Sequence, residues 1–194
     1  MRIIAGKYKA KRLNSPKTDL TRPTLDRVKE ALFSIIDSYI VDANVLDLFS
    51  GTGNLGLEAI SRGAKFAWLN DDKNVAISTI ISNTELTKSQ NCVKITKKDY
   101  NKCLNQIVNQ NVLFDVIFLD PPYDTKFGVN TLKFISDNKG KVLSDNGVII
   151  YETDKNFIQK ISKIDQKALD YFENLECIDT RNYSNVVLKI YKWR

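Results

Sequence analysis

Short apolar runs alternate with amphipathic helical patterns along most of the chain, and this alternation predicts the fold. Each run is only a few residues long, and most are followed by apolar positions at helical spacing, as in units of strand, helix and parallel strand. The last two runs have no helix between them and are expected to pair antiparallel. The sequence therefore predicts an α/β fold with a doubly wound, mostly parallel sheet and an antiparallel edge. The predicted strands are 45–49, 66–69, 93–95, 116–119, 148–152, 175–183 and 186–192, with helices near 55–62, 74–86, 100–109 and 128–138.

The first forty residues precede this alternation and have a different pattern. Residues 2–13 show little helical period and predict a short hairpin or an extended flap that ends at a turn signal containing Pro16. A helix is expected over 24–37, because its apolar residues fall on one face and Asp26 suits its first turn. We therefore expect a hairpin and helix extension over 1–40 and a main domain over 41–194, packed as one unit.

The excess positive charge of the chain is confined to its beginning. The 194 residues include 29 Lys and Arg and 23 Asp and Glu, a net charge of +6, and the first thirty residues hold nine of the bases and three of the acids. The rest of the chain is balanced. Such a concentration is typical of a nucleic-acid-binding segment joined to a neutral domain. The residues expected to contact RNA are Lys7, Lys9, Lys11, Arg12, Arg22 and Arg27.

Composition argues against several classes of protein. The sequence has no apolar stretch of membrane-spanning length and no signal pattern, so a soluble protein in the cytoplasm is expected. Its three cysteines, Cys92, Cys103 and Cys177, show no CxxC spacing, which argues against disulfides and a zinc site. Histidine is absent, so the usual general base and the commonest metal ligand are missing, and no metal is expected.

The motif Asp120-Pro121-Pro122-Tyr123 closes the apolar run at 116–119. A buried strand that stops at such a motif ends at the sheet edge where ligands bind. The prolines hold the carbonyl groups of Asp120 and Pro121 rigidly, and those acceptors suit a planar amino group. The Tyr123 ring offers a face to the base that carries this group. Asp120, Pro121 and Tyr123 are therefore the candidate catalytic residues.

The first predicted strand leads into a GxGxxG loop at 51–56. This pattern also describes dinucleotide sites, in which backbone amides contact a pyrophosphate. Asp47, four residues before the first glycine, would repel that anion but suits a cation such as the amino group of a methionine moiety. A sulfonium cofactor is therefore preferred, with Asp47, Gly51 and Gly53 beside it.

Polar side chains also follow the next two predicted strands. Asn70, Asp71 and Asp72 follow the second strand, about twenty residues after the first glycine, where an acid is expected to bind a ribose. Asp99 follows the third strand and could accept a hydrogen bond from an adenine amino group. Together with Asp47 and Asp120, these residues place carboxylates at the ends of four successive strands, on the ligand edge of one sheet.

The segments 2–7, 21–33, 46–63 and 114–123 carry a resemblance to a known family, with a weaker match at 181–183. By these segments the chain resembles the RsmD-type bacterial 16S ribosomal RNA guanine-N2 methyltransferases, which use S-adenosylmethionine. The resemblance implies a Rossmann-like seven-stranded methyltransferase sheet and methyl transfer to one guanine of 16S rRNA, within a small ribosomal subunit or an assembly intermediate. It also implies that Asp47, Gly51 and Gly53 line the methionine part, that Asp99 lines the adenine, and that Asp120 and Tyr123 contact the guanine.

Two positions depart from the family pattern. Asn70 stands where the family usually has an acid, which leaves the ribose to Asp71 or to the Asn70 amide, and Ser184 stands where a glycine often follows the tyrosine. Two alternatives stay open: methylation of adenine in DNA or RNA, or of a glutamine side chain, and a non-catalytic module that binds a nucleotide or RNA. A monomer is expected, although nothing in the sequence determines the oligomeric state.

Overall fold

The computed structural model describes residues 1–15, 26–164, 169 and 172–194, and these residues contain a seven-stranded sheet. Its strand order is β3-β2-β1-β4-β5-β7-β6, with β1 to β5 parallel and β7 antiparallel to both of its neighbours. The predicted doubly wound sheet with an antiparallel edge is confirmed. The strands are β1 (Asn44–Asp47), β2 (Phe66–Asp71), β3 (Val93–Lys97), β4 (Phe114–Leu119), β5 (Leu143–Asp154), β6 (Leu175–Tyr183) and β7 (Val186–Trp193).

Six α-helices accompany the sheet in the described part of the chain, and one of them was missed by the sequence prediction. The missed helix follows β5, where Phe157 and Ile161 are buried one turn apart and Asp154 accepts a hydrogen bond from the Phe157 amide at 2.9 Å. The apolar residues at helical spacing and the acid just before the helix are both visible in the sequence. The α-helices are α1 (Asp26–Ile35), α2 (Asn54–Ser61), α3 (Asn74–Thr87), α4 (Tyr100–Asn109), α5 (Phe127–Asp137) and α6 (Lys155–Ile164), with short 3₁₀ turns at Asp37–Tyr39 and Gln90–Cys92.

The helices cover both faces of the sheet and form two hydrophobic clusters. On one face, residues of α1, α2 and α3 pack against alternate strand residues such as Val45 and Val116. On the other face, residues of α4, α5 and α6 pack against the intervening strand residues such as Leu46 and Ile117. Because both faces are covered, the central strands are apolar at nearly every position, which explains why they are recognisable as continuous runs.

The N-terminal hairpin packs into the first of these clusters. Arg2 and Arg12 pair as an antiparallel bridge, so the predicted hairpin forms, but Ile3, Tyr8 and Leu13 are buried. The hairpin therefore packs onto the sheet through its apolar side chains. The hairpin and α1 belong to the same core as the sheet.

A buried ion pair fastens the hairpin and α1 to α2. Lys29 and Glu58 are both fully buried, and Lys29 Nζ lies 3.0 Å from Glu58 Oε2. The Glu58 carboxylate also accepts hydrogen bonds from the amides of Ile4 and Ala5 at 2.8 and 3.0 Å. Burial lowers the pKa of Lys29, and the Glu58 charge opposes this shift. Because the buried Glu58 carboxylate interacts with donors of both the hairpin and α1, it holds these two elements in one position against α2.

The turn of the hairpin, residues 4–10, points away from the carboxyl edge of the sheet. It packs against Ser61 at the end of α2, where the Lys7 amide donates to the Ser61 carbonyl at 2.7 Å. The Lys11 ammonium group donates to the carbonyl of Leu86 near the end of α3. Since α2 and α3 both begin at the carboxyl edge and run back from it, these contacts place the turn near the opposite edge of the sheet.

Candidate active site

The carboxyl ends of β1, β2, β3 and β4 bring the four predicted acids to one edge of the sheet. Asp47 and Asp71 are the last residues of β1 and β2. Asp120 directly follows β4, and Asp99 is the second residue after β3. The Asp47 carboxyl group is close enough to Asp71 and Asp120 for their charges to affect its pKa. The expected cluster of strand-end carboxylates is therefore present.

Asp47 organises the glycine loop as well as facing the edge. Its Oδ2 atom accepts a hydrogen bond from the Gly56 amide at 3.0 Å, and its carbonyl accepts one from the Ser50 hydroxyl at 2.6 Å. Gly51 and Gly53 have φ of +54° and +77°, a conformation that favours glycine. No atom lies within 4 Å of the position that a Gly51 Cβ would take, so the backbone there is open to a ligand.

The environment of Asp47 favours a cationic ligand group. Burial raises the pKa of Asp47 to about 7, the Gly56 amide opposes this shift, and the charges of Asp120 and Asp71 add to it. No Lys or Arg of the described residues forms an ion pair with Asp47. A buried acid surrounded by other acids binds a positive charge more strongly than an exposed one.

Asn70 is committed to bonds within the protein. Its amide nitrogen donates to the carbonyls of Leu48 and Lys98 at 3.2 and 2.9 Å, and its amide oxygen accepts from the Thr96 hydroxyl at 2.8 Å. The side chain is 1% exposed and connects the ends of three neighbouring strands. Ribose binding by the Asn70 amide would require these bonds to break.

Asp71 is half-buried and lies against the glycine loop. Its two carboxylate oxygens accept hydrogen bonds from the amides of Gly51 and Lys73 at 2.9 and 3.0 Å. Burial is the largest cause of a raised Asp71 pKa, and both amide bonds oppose the shift. Each carboxylate oxygen can accept a further bond, so Asp71 suits ribose hydroxyls better than Asn70 does.

An aromatic cluster that the sequence analysis missed lies beside Asp99. Asp99 is exposed and caps α4 by accepting from the Asn101 amide at 2.9 Å. The next residue, Tyr100, has its ring centroid 4.9 Å from that of Phe127 and 5.7 Å from that of Phe49. Phe49 and Tyr100 follow strand ends within three residues, and Phe127 is the first residue of α5. Partly exposed aromatic rings at a ligand edge can stack on a nucleobase.

The turn at 120–125 is held from both sides. The Pro122 carbonyl accepts a hydrogen bond from the Thr125 hydroxyl at 2.7 Å, and Asp124, in the left-handed region with φ of +62°, forms an ion pair with Lys160 of α6. Pro121 is buried, and Asp120 and Tyr123 are half-buried. These contacts present the Asp120 carboxyl group and the Tyr123 ring at the edge in a defined geometry.

Glu152 is a further acid at this edge that the sequence analysis did not single out. It lies near the end of β5, is 4% exposed, and accepts a long hydrogen bond of 3.4 Å from the Tyr123 hydroxyl on Oε1. Burial raises the pKa of Glu152 to about 7. The Asp120 pKa is also raised, by burial and then by the Glu152 charge. The sequence contains one signal that could have identified this residue, which is a glutamate at the end of the apolar run 148–152.

The basic residues of the hairpin lie apart from these acids. Lys7, Lys9 and Lys11 belong to the turn side of the hairpin, with the ammonium groups of Lys7 and Lys11 at 5.3 and 5.8 Å from the Tyr8 ring centroid. Arg12 lies nearer the open end, and Arg27 is exposed on the first turn of α1. Arg22 lies outside the described residues. The hairpin lysines are therefore not brought together with the carboxyl edge.

The edge fits an adenosyl sulfonium cofactor. Asp47 has no ion-pair partner among the described residues and can bind a cationic amino group, and the open space beside Gly51 admits a ligand to the backbone. Asp71 can accept from ribose hydroxyls, and Asp99 with the aromatic rings suits an adenine. In the described part of the chain, no group of three acidic, cysteine or histidine side chains could hold a metal ion, and no helix is long and apolar enough to cross a membrane.

Known proteins match the chain over most of its length. The model of a family described as Conserved hypothetical protein 95 matches residues 1–192. Ribosomal RNA small subunit methyltransferase D of Haemophilus influenzae is 36% identical over 156 residues, which are 80% of this chain and 79% of that protein. The protein of the same name from Escherichia coli is 32% identical over 154 residues, 79% of this chain and 75% of that one. The solved structure of the Escherichia coli protein yhhF covers 100% of this chain and 98% of its own, with a TM-score of 0.82 and 28% identity.

Proposed function

The chain belongs to the family described as Conserved hypothetical protein 95, the RsmD-type rRNA methyltransferases, and we propose that it methylates the exocyclic 2-amino nitrogen of one guanine in 16S rRNA, with S-adenosylmethionine as the methyl donor. The observation that carries this proposal is the position of Asp120, Pro121 and Tyr123 at the same sheet edge as Asp47 and its glycine loop. The names of the relatives support an rRNA substrate.

The cofactor is bound by the ends of β1, β2 and β3. The Asp47 carboxyl group binds the amino group of the methionine moiety, and the backbone at Gly51 and Gly53 contacts the rest of that moiety. Asp71 accepts from the ribose, and Asp99 accepts from the adenine. When bound, the cofactor supplies a methyl group that is activated by a sulfonium centre. The protein then has mainly to align a weak amine with that methyl group.

The turn at 120–123 orients the target amino group. The Asp120 carboxylate and the Pro121 carbonyl accept hydrogen bonds from the guanine 2-amino group, while the Tyr123 ring stacks on the base. The lone pair of this nitrogen is delocalised into the ring, and the two acceptors favour a more tetrahedral nitrogen. Positive charge develops on the nitrogen as the new bond forms, so the Asp120 carboxylate stabilises the transition state more than the ground state.

The N-terminal hairpin contributes to RNA binding. Its exposed lysines give the neutral domain a positive surface, which attracts the phosphate backbone without reading the sequence. Arg12 and Arg27 lie nearer the carboxyl edge and are placed to contact phosphates closer to the target guanine. The substrate is the 16S rRNA of a small ribosomal subunit or of an assembly intermediate.

The test is a methyl-transfer assay with labelled cofactor. Undermethylated small subunits, naked 16S rRNA and duplex DNA are offered in parallel, and the modified nucleoside is identified by digestion and mass spectrometry. We expect N2-methylguanosine at one position of 16S rRNA, and none from the Asp120→Ala variant. A methylated adenine in any of the substrates would replace this proposal with the adenine alternative. Binding of NAD without binding of S-adenosylmethionine would support a non-catalytic module.

A further inference from the structure

We propose that Glu152 is a positioning residue for this reaction: its carboxyl group holds the Tyr123 ring beside the target base, and its charge keeps Asp120 a proton acceptor for the amino nitrogen. The inference rests on the proposed function, because it assigns Glu152 a role in that methyl transfer. Neither the family motifs nor the cluster of four strand-end acids includes this residue.

The sheet register places Glu152 next to Asp120. Leu119 of β4 pairs with Tyr151 of β5, and both side chains belong to the cluster beneath α4, α5 and α6. The following residues, Asp120 and Glu152, therefore lie beside each other on the opposite face, which is also the face of Asp47. Neighbouring strands are about 4.8 Å apart, so the two carboxyl groups are direct neighbours.

The burial of Glu152 is not explained by packing. Among the described residues, its Oε2 atom is buried and has no hydrogen-bond partner. A buried carboxyl oxygen without a partner destabilises a fold, and such groups commonly have a functional role. The hydrogen bond that the other carboxyl oxygen, Oε1, accepts comes from the hydroxyl group of Tyr123, which belongs to the candidate catalytic turn.

The groups around Glu152 are mainly acidic. Asp120 faces it from just beyond the end of β4 and Tyr123 from the turn, while Asp47 lies one strand beyond Asp120. No ion pair from a described Lys or Arg reaches Glu152 or Asp120. Two neighbouring buried carboxyl groups resist being ionised together, so the pair retains a proton more strongly than either group alone. Asp120 is correspondingly a stronger base once it has ionised.

The proton balance of the reaction requires such an acceptor. The electron pair of the amino nitrogen forms the new N–C bond, and the pair of the breaking S–C bond stays on sulfur. The nitrogen is then positively charged. It loses its proton when an N–H bond breaks and its electrons return to nitrogen, while an O–H bond forms on Asp120. Asp120 is partly exposed and can pass this proton to solvent once the product leaves.

The experiment compares single-turnover methylation of undermethylated subunits over a pH series for four proteins. Glu152→Gln keeps the size and the acceptor for Tyr123 but removes the charge, and Tyr123→Phe removes only the hydroxyl contact. Asp154→Asn is the matched control, because it changes a buried carboxyl group two residues along the same strand. Thermal melting and titration with S-adenosylmethionine check the folding of each variant.

We expect the rate of the unmodified protein to rise with pH to a plateau. In Glu152→Gln the rising part should move to lower pH, because Asp120 then ionises without a charged neighbour, and the plateau should fall about tenfold or more because Asp120 is a weaker base. Tyr123→Phe should raise the KM for the subunit and leave the pH profile in place. Asp154→Asn should behave as the unmodified protein.

A Glu152→Gln variant with an unchanged pH profile and rate would overturn the inference. If that variant does not fold, Glu152→Asp replaces it, since it retains the charge; its rising part should stay in place, and a shift would also overturn the inference. Absence of N2-methylguanosine from the unmodified protein is a different result, because it would contradict the proposed function itself.

Discussion

The carboxyl edge of the sheet and the turn of the N-terminal hairpin differ in charge, burial and distance from the reacting atoms. The edge holds Asp47 and Glu152, which are buried acids with raised pKa values. The turn holds Lys7 and Lys9, which are exposed bases. The two regions lie at opposite ends of α2, whose eight residues span about 12 Å.

This comparison suggests a division of work between the two regions. Charges in a buried site act strongly over short distances and are poorly screened, so the edge can orient a reacting group. Exposed charges act weakly and are screened by salt, so the hairpin can attract RNA without affecting the chemistry. Binding and catalysis should therefore respond separately to substitutions in the two regions.

The largest effect is expected at Asp120. Asp120→Ala removes the carboxylate that orients the amino group, so turnover should fall about a hundredfold or more, while S-adenosylmethionine affinity changes little. Single-turnover rates at saturating subunit concentration and calorimetric titration of the cofactor measure the two quantities. Retained turnover would show that the carboxyl edge does not perform the chemistry in this way.

The second effect is expected in cofactor binding. Asp47→Ala should weaken S-adenosylmethionine binding by about 1–3 kcal/mol, because it removes the acceptor for the amino group. Asp47→Asn separates two roles, since its amide oxygen can still accept from Gly56 while the charge is lost. If Asn binds the cofactor as tightly as Asp, the Asp47 charge has no part in cofactor binding.

The third effect is a pH dependence of stability. The pKa of Asp47 rises from 3.8 to about 7 on folding, so between these values the native state holds a proton that the unfolded state has lost. The free energy of unfolding contributed by this group should therefore fall as the pH rises through that window. Urea denaturation at several pH values should show a shallower decline for Asp47→Asn. The exposed Asp145→Asn variant should follow the unmodified protein, and equal slopes in all three would contradict the prediction.

The smallest effect on chemistry is expected at the hairpin. Replacing Lys7, Lys9, Lys11 and Arg12 by alanine should weaken subunit binding and flatten its salt dependence by about 0.7–0.9 log units per lost phosphate contact. Cofactor affinity should not change. A variant with alanine at the exposed Lys102 and Lys141 of other surfaces is the control. If subunit binding by the hairpin variant depends on salt as it does in the unmodified protein, the hairpin lysines contact solvent and not the RNA phosphates.

Local sequence patterns determined the order of strands and helices and the acids at their ends. Central strands covered on both faces are apolar throughout, so their limits and the residues after them can be read from the sequence alone. This is why Asp47, Asp71, Asp99 and Asp120 were predicted at one edge. Ser184, which stands where the family often has glycine, has a φ of +52°, a conformation that favours glycine.

Tertiary structure alone decided how far each of these side chains is committed to hydrogen bonds within the protein. Asn70 bonds to residues 22 to 28 positions away, which leaves Asp71 as the acid facing the edge. The hairpin is fastened to the core by Glu58, which lies more than fifty residues away along the chain. Glu152 lies beside Asp120 because β4 and β5 are neighbours in the sheet. Burial and hydrogen bonding depend on contacts between distant segments, and a local pattern of hydrophobic and polar residues does not contain them.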